Sequence, residues 1–466
     1  INFTGGALVI TTTSGTGFSA TGGGTINVTG ANNTITSTTG SPVNIANTTI
    51  GASNVTFKSV SCNGASNGIV LNTTGATGGF VVTGTGTTDG SGGTIQNITN
   101  RGVSAFSTTN LSLKNMAFTN ASMVDGPGPC GAADNSGCNA AIHLNTVTTA
   151  TLDNVDISGT TAEEGINVRN TSNFSLLGSN LINCGIPSSG ADTEESCLYA
   201  IDMFGTCAIN NSSLTVPSER AAVIYNNSKT LALTVNGSTF GDNQGQLLGA
   251  DGLEIDNNGA GNLTLDIINS TFLKPKTNGL QVITNGTSFS SVDVTGSTFN
   301  PGPAPTGAAA MDLIMNNSGD MDFNIINNTI QARSINVINI YAFANGSFEG
   351  RINNNPVIES LTGGNGSGNG INVTHDGNST TNRIEIKNNM VTAINDNGII
   401  VLSRLGSGRV DATITGNTVS LTGGPSSFRA IQASAGASSD GGTNKLCAYI
   451  ANNITSILPG AAGHYQ

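Results

Sequence analysis

The chain has 466 residues, room for two or three ordinary domains or one long repetitive one. Glycine is 63 of them, proline 12, charged residues only 9% and tryptophan absent, which excludes a charge-rich disordered chain and a mostly helical one. Sixteen Lys and Arg against 28 Asp and Glu give a net charge of −12, so there is no basic patch for a nucleic acid, and no apolar run approaches the ~20 residues of a membrane span.

The chain opens at Ile1 without a signal-peptide pattern, as expected of a processed product or an excised fragment. Residues 1–41 are rich in Gly, Thr and Asn and read as degenerate first turns of a repeat. From Pro42 onward one phrase recurs, a small residue followed by apolar–x–apolar. It is clear in Gly68-Ile69-Val70-Leu71, Gly165-Ile166-Asn167-Val168, Gly252-Leu253-Glu254-Ile255 and Gly279-Leu280-Gln281-Val282. It returns in Gly370-Ile371-Asn372-Val373, Gly398-Ile399-Ile400-Val401 and Ala430-Ile431-Gln432-Ala433, with looser copies between, making 14 copies spaced 22 to 39 residues apart. A second phrase falls between successive copies: an apolar residue, then Asn or Gly two places on, then another apolar residue. Ile267-Ile268-Asn269-Ser270-Thr271-Phe272 and Ile325-Ile326-Asn327-Asn328-Thr329-Ile330 are examples.

The local period is two, so these are strands with one buried face. Two phrases in fixed order with a variable gap mark a coil of supersecondary units. The predicted fold is all-β: a single right-handed parallel β-helix solenoid of about 14 turns, three short strands per turn, spanning 1–466 as one domain. Asn recurring at one turn position predicts an amide ladder, and Gly replacing it there predicts a positive φ. The longest insertions, 119–140 and 182–199, fall after the second phrase, where solenoid loops gather on one face.

These phrases resemble those of secreted right-handed β-helix repeat proteins, the pectin-lyase-like superfamily. The opening Gly22-Gly23-Gly24-Thr25-Ile26-Asn27-Val28 is most similar to bacterial cell-surface and autotransporter-passenger repeats. The resemblance implies the fold over nearly the whole chain and a secreted or cell-surface location. It implies no activity, because one fold hosts many functions. The polygalacturonase-type Asn-Thr-Asp, Asp-Asp, Gly-His-Gly and Arg-Ile-Lys set is missing; Arg383-Ile384-Glu385-Ile386-Lys387 is a near miss.

The outward positions of the first phrase form a stripe that includes Ser104, His143, Asn167, Asp202, Glu254, Gln281, Asp312, Asn339 and Asn372. Two residues further along lie Phe106, Arg169, Phe204, Asp256 and Tyr341. If the chain is an enzyme, its carboxylates are Asp202, Glu254, Asp256 and Asp312. Asp202 and Glu254, two turns apart, would lie roughly 9.6 Å apart, the upper limit for an inverting glycosidase pair. His143, Arg169, Phe204 and Tyr341 would line a polysaccharide groove walled by the two insertions. The plainer reading is that these residues keep an outer sheet face wet, and the enzyme reading is secondary to it.

Of the seven cysteines, Cys62 and Cys207 occupy apolar positions and read as buried and inert. Cys130 and Cys138 fall in one insertion and Cys184 and Cys197 in the next, as disulfide staples of an oxidising compartment would. Four cysteines allow three pairings, which the sequence leaves open. No metal site and no cofactor are expected, and His143, His375 and His464 read as surface residues in different turns. Neither terminus carries an amphipathic cap, so the expected partners are other copies stacked head to tail, or flanking domains, with carbohydrate as a further candidate. The function expected is thus a non-enzymatic structural fibre, sheath or adhesin subunit. The alternative is a polysaccharide lyase, hydrolase or non-cleaving carbohydrate binder.

Overall fold

The structure is a computed structural model. It describes residues 1–124, 138–159, 164–185, 195–246, 249–303, 309–333, 336–361, 368–379, 382–393, 396–422, 429–436 and 443–457. The chain forms two compact units, Ile1–Ile224 with Gln246–Leu248, and Tyr225–Gly245 with Gly249–Gln466.

Each unit is a parallel β-solenoid, as the alternating pattern requires, consistent with the right-handed β-helix expected. No helix occurs among the described residues. One coil of the first unit shows the plan: a first strand Glu164–Arg169, a second Ser172–Leu177 and a third Asn180–Ile182. In Arg101–Lys114 and Ala140–Asp153 the first and second strands run together without a break in pairing, although Ser107, Asn110, Thr146 and Thr149 at their corners have positive φ. Among the described residues, third strands number eight in each unit, running from Val9–Thr12 to Ser213–Thr215 and from Thr239–Gly241 to Ile454–Ile457. Two of them, Val9–Thr12 and Thr34–Ser37, come from the opening 41 residues and add to the 14 coils expected from Pro42 onward.

The core explains why the first phrase begins with a small residue. Inward residues of the third strands stack in a column. In the second unit it runs Phe240, Phe272, Phe299, Ile330, Ile358, Val391, Val419, every one buried. The Phe272 and Phe299 rings lie stacked with centroids 4.4 Å apart. A Cβ on Gly279 would come within 2.8 Å of Phe299, and one on Gly398 within 2.2 Å of Val419. At these coils the absence of a Cβ is therefore what lets the first strand close over the third-strand column.

The corner between second and third strands carries the second phrase. Asn115, Asn154, Asn269, Asn327 and Asn388 have φ between 48° and 59°, and Gly178, Gly237, Gly296 and Gly416 between 54° and 68°. This is the left-handed region that Asn and Gly tolerate, as expected. The amides at this position do pair along the stack, Asn388 Nδ2 donating to Asn354 Oδ1 at 3.1 Å and Asn154 Nδ2 to Asn115 Oδ1 at 2.8 Å.

A second, buried ladder lies one residue later. In the first unit the backbone N–H of Ser179 donates to the hydroxyl of Ser212 at 3.1 Å. In the second unit Ser238 donates to Ser270, Ser270 to Ser297, Ser297 to Asn328 and Asn328 to Asn355. The series continues through Asn389, Asn417 and Asn453. Each of these side-chain oxygens takes up a backbone donor that the corner would otherwise bury unpaired.

Candidate functional site: the outer faces of the first and second strands

In the later coils of the first unit, the outward positions of the first strands are covered rather than open. His143, Asn167 and Arg169 are buried. The His143 ring stacks on Phe106 with centroids 5.2 Å apart, and the Arg101 guanidinium lies 5.3 Å above that Phe106 ring. Arg169 sits 5.2 Å over the Tyr199 ring and donates through Nε to Asn167 Oδ1 at 3.0 Å. Asn167 Nδ2 in turn reaches Cys138 Sγ at 3.1 Å. Neither nitrogen of His143 has a hydrogen-bond partner among the described residues. Burial holds its pKa well below 6.5, and the charges of Arg101 and Arg169 push the same way. The sequence reading of His143 as a surface residue is thus corrected. Strand alternation does aim it outward, but that face is closed over.

Asp202 is also placed differently from the sequence alignment of the coils. Asn167 pairs in register with Tyr199, so Tyr199 holds the outward position assigned above to Asp202. Asp202 sits just past the strand Leu198–Ile201, at a corner with φ of 55°. The phrase there begins at Cys197 and Leu198, not Ala200; a bulky Tyr at an outward position disguised it. Phe204 is half-buried and forms an isolated bridge with Ser172.

The disulfide Cys184–Cys197 is formed, closing a loop of sequence separation 13. Cys138 is also disulfide-bonded. Cys130, which shares its insertion, lies outside the described residues, as do 125–137 and 186–194 of the two insertions. Cys62 and Cys207 are buried free thiols, their pKa values raised to about 12 and about 11 by burial, which leaves them inert at neutral pH. Cys447 is free and exposed.

In the second unit, Glu254, Gln281, Asp312, Asn339 and Asn372 align in one column, as predicted. Asp256 and Tyr341 lie two residues further along their strands. Gln281 Nε2 donates to Asp312 Oδ2 at 3.0 Å, Asn339 Nδ2 to Asp312 Oδ1 at 2.8 Å, and Asn372 Nδ2 to Asn339 Oδ1 at 2.7 Å. Burial raises the Asp312 pKa, and the two amide hydrogen bonds only partly offset it. The Tyr341 hydroxyl donates to Asp376, which Arg404 grips through both oxygens at 2.8 Å. Burial, followed by the Asp376 carboxylate, raises the Tyr341 pKa to about 12. His375 points inward, is fully buried, and has neither ring nitrogen partnered among the described residues. Its predicted surface placement is corrected too. Period two from Ile371 and Val373 already aims it inward, a signal present in the sequence. His464 lies outside the described residues.

An open concavity of this unit lies on the second-strand face. A trough of about 550 Å³ is lined by Glu349, Arg351, Arg383, Glu385, Asp411 and Tyr449 among others. A smaller one of about 180 Å³ shares Glu349, Gly350 and Arg351 with it. The inward column beneath runs Phe323, Gly350, Ile384, Ala412, Ala448. A Cβ on Gly350 would stand 2.0 Å from Phe323, so the ring occupies the space of the missing side chain. The signal for this trough was in the sequence: small residues at inward positions with charges on either side.

Among the described residues, no group of three or more His, Cys, Asp and Glu is placed to hold a metal ion, and no helix is long and apolar enough to cross a membrane.

The class these features define is the parallel β-solenoid. No family model matches the chain, and no curated protein matches it. Two solved structures of PfbA, a surface adhesin of Streptococcus pneumoniae, are similar. One has a TM-score of 0.32 at 12% identity, covering 86% of this chain and 83% of that one. The other has a TM-score of 0.29 at 12% identity, covering 94% and 91%. A likeness this distant carries nothing about the role of this chain.

Proposed function

We propose that the chain is a non-enzymatic structural β-solenoid of the cell surface or extracellular space, a fibre, sheath or adhesin subunit that stacks end to end with further copies. The observation that carries this reading is the use made of the outward polar side chains. Asp312 accepts an amide hydrogen bond on each oxygen, and the Tyr341 hydroxyl is engaged by Asp376. Groups of the kind that do acid–base work are tied into axial ladders that hold coils together. The Cys184–Cys197 disulfide fits an oxidising compartment.

End-to-end stacking draws support from exposed apolar residues on edge coils. Ile1 and Val9 are 80% and 69% exposed in the first unit, and Tyr449 and Ile454 63% and 67% in the second. Such an edge accepts a further parallel strand, from another copy or from a flanking domain, and where unlike edges of two copies meet the contact does not close on itself and yields fibres. Electron microscopy and sedimentation velocity over a concentration series test this. Filaments that lengthen with concentration are expected; a strict monomer at high concentration would sink it. The enzyme reading has its own assay. Polysaccharide cleavage lost on Glu254→Ala, Asp256→Ala or Asp312→Ala would replace the scaffold reading.

A further inference from the structure

The trough on the second-strand face carries charges in an order that the end-to-end reading does not use. Two neighbouring strands, Ser347–Asn353 and Asn382–Lys387, pair in parallel with Glu349 beside Arg383 and Arg351 beside Glu385. All four side chains point outward. The outward pattern is therefore acid–base on one strand and base–acid on the next. Consider a two-fold axis in the plane of the face, parallel to these strands and midway between them. It lays a second face on the first so that each position meets its counterpart on the neighbouring strand. Glu349 then meets Arg383 of the second copy, and Arg351 meets its Glu385, and each contact occurs twice.

We infer that a second copy of this chain docks on this face, forming a lateral two-fold pair through the Glu349, Arg351, Arg383 and Glu385 quartet. A two-fold contact requires a self-complementary patch, which this charge order supplies. The flanking rows extend it. Asp320 aligns with Ser347 and lies opposite Arg409 of the partner copy, while Asp322 lies opposite its Asp411, an unfavourable contact that the Arg409–Asp411 ion pair at 2.7 Å moderates. The hollow over Gly350, Ala412 and Ala448 leaves room for the long Arg and Glu side chains of two such faces to interleave. Within one copy, Arg383 and Glu349 are only loosely paired, 3.5 Å apart with side chains 64% and 61% exposed, so both remain available to a partner. A contact built on exposed charges is weakened by salt.

The experiment is sedimentation equilibrium of the full chain at low and high salt, for the parent, for Glu349→Arg, for Arg383→Glu, and for an equimolar mixture of the two variants. Both sites are more than half exposed, so folding is retained, which circular dichroism checks. The parent is expected to dimerise, with a Kd that rises about tenfold or more with salt. Each variant alone places like charges face to face and should lose self-association by at least as much. In the mixture every 349–383 contact is again acid to base, so a heterodimer should return. No effect within one chain produces that recovery. Variants that associate as the parent does, a parent that never dimerises, or a mixture that fails to recover would overturn the inference. Filaments of a parent that shows no salt-sensitive lateral pairing would overturn it too, while leaving end-to-end stacking standing. Salt-sensitive dimers without filaments would do the reverse.

Discussion

The side-chain oxygen of Asn389 accepts two hydrogen bonds from Asn355, one from its backbone N–H at 3.1 Å and one from its side-chain amide at 2.9 Å. Asn355 in turn accepts both donors of Asn328, at 2.9 and 3.2 Å, and donates its amide to the Ile325 carbonyl. Every rung is buried and serves the coils on either side. Asn355→Ala should therefore remove both hydrogen bonds accepted from Asn328, leaving its backbone N–H buried without this acceptor, and the one donated to Ile325, at a cost of about 2–4 kcal/mol. Asn355→Ser should cost less, because Ser fills the same column at Ser270 and Ser297 and still accepts from the backbone N–H before it. Urea unfolding of the three proteins checks the order; equal losses for Ala and Ser would mean that the ladder contributes packing and not hydrogen bonding.

Gly350 and Phe323 form a lock of a different kind. Every atom that a Cβ at 350 would strike within 2.4 Å belongs to the Phe323 ring. Gly350→Ala forces the ring from its place and should destabilise by about 1–3 kcal/mol. Phe323→Leu clears that space. In the double variant the two losses should sum to more than the measured total, a coupling readable in a double-mutant cycle. Simple additivity would show that the backbone, not the ring, absorbs the new methyl group.

The Cys184–Cys197 bond closes a short loop beside the first strand that begins at Leu198. Replacing both cysteines by Ser should lower stability by about 2–3 kcal/mol through the freed loop. The parent protein should lose at least as much on adding a reductant, which also opens the Cys138 disulfide, and thermal unfolding with and without reductant checks this. Cys62 and Cys207 should resist alkylation in the folded protein, since both thiols are buried with raised pKa values.

The coil was legible because it is written many times. Alternation gave the strands, and Asn or Gly at one corner gave the positive φ. What stayed hidden depended on neighbours rather than on repetition. The buried Ser and Asn ladder sits one residue after the Asn that draws attention, and its change from Ser to Asn at Asn328 masks it as a column. The burial of His143 involves the Phe106 ring of the neighbouring coil stacked on it, a contact that alternation within one strand does not encode. Tyr199 hid the start of its coil because a large aromatic stands where the phrase elsewhere has a polar residue. The Gln281–Asp312–Asn339–Asn372 strip, by contrast, follows from register alone, and the sequence reading placed it correctly.

The buried histidines set the response to acid. His143 and His375 are both fully buried, and burial is the first cause of the lowered pKa in each. Arg101 and Arg169 lower His143 further, whereas Asp376 partly restores His375. In the unfolded chain each takes up a proton near the ordinary value of 6.5. Below that pH the unfolded state binds more protons than the folded one, so stability falls as pH falls, until the folded pKa is passed. Asp312, with its raised pKa, works in the opposite sense at lower pH, because the folded protein accepts its proton more readily than the unfolded chain. Between pH 6.5 and the carboxylate range the histidines should dominate, each shifting the folding equilibrium up to about tenfold per pH unit. The urea midpoint should therefore drop between pH 7 and pH 5. His375→Leu, which fills the same inward position without a titrating group, should remove one proton's share of that slope. A slope unchanged in His375→Leu would mean that the ring is already reached by water or by an acceptor in the folded protein.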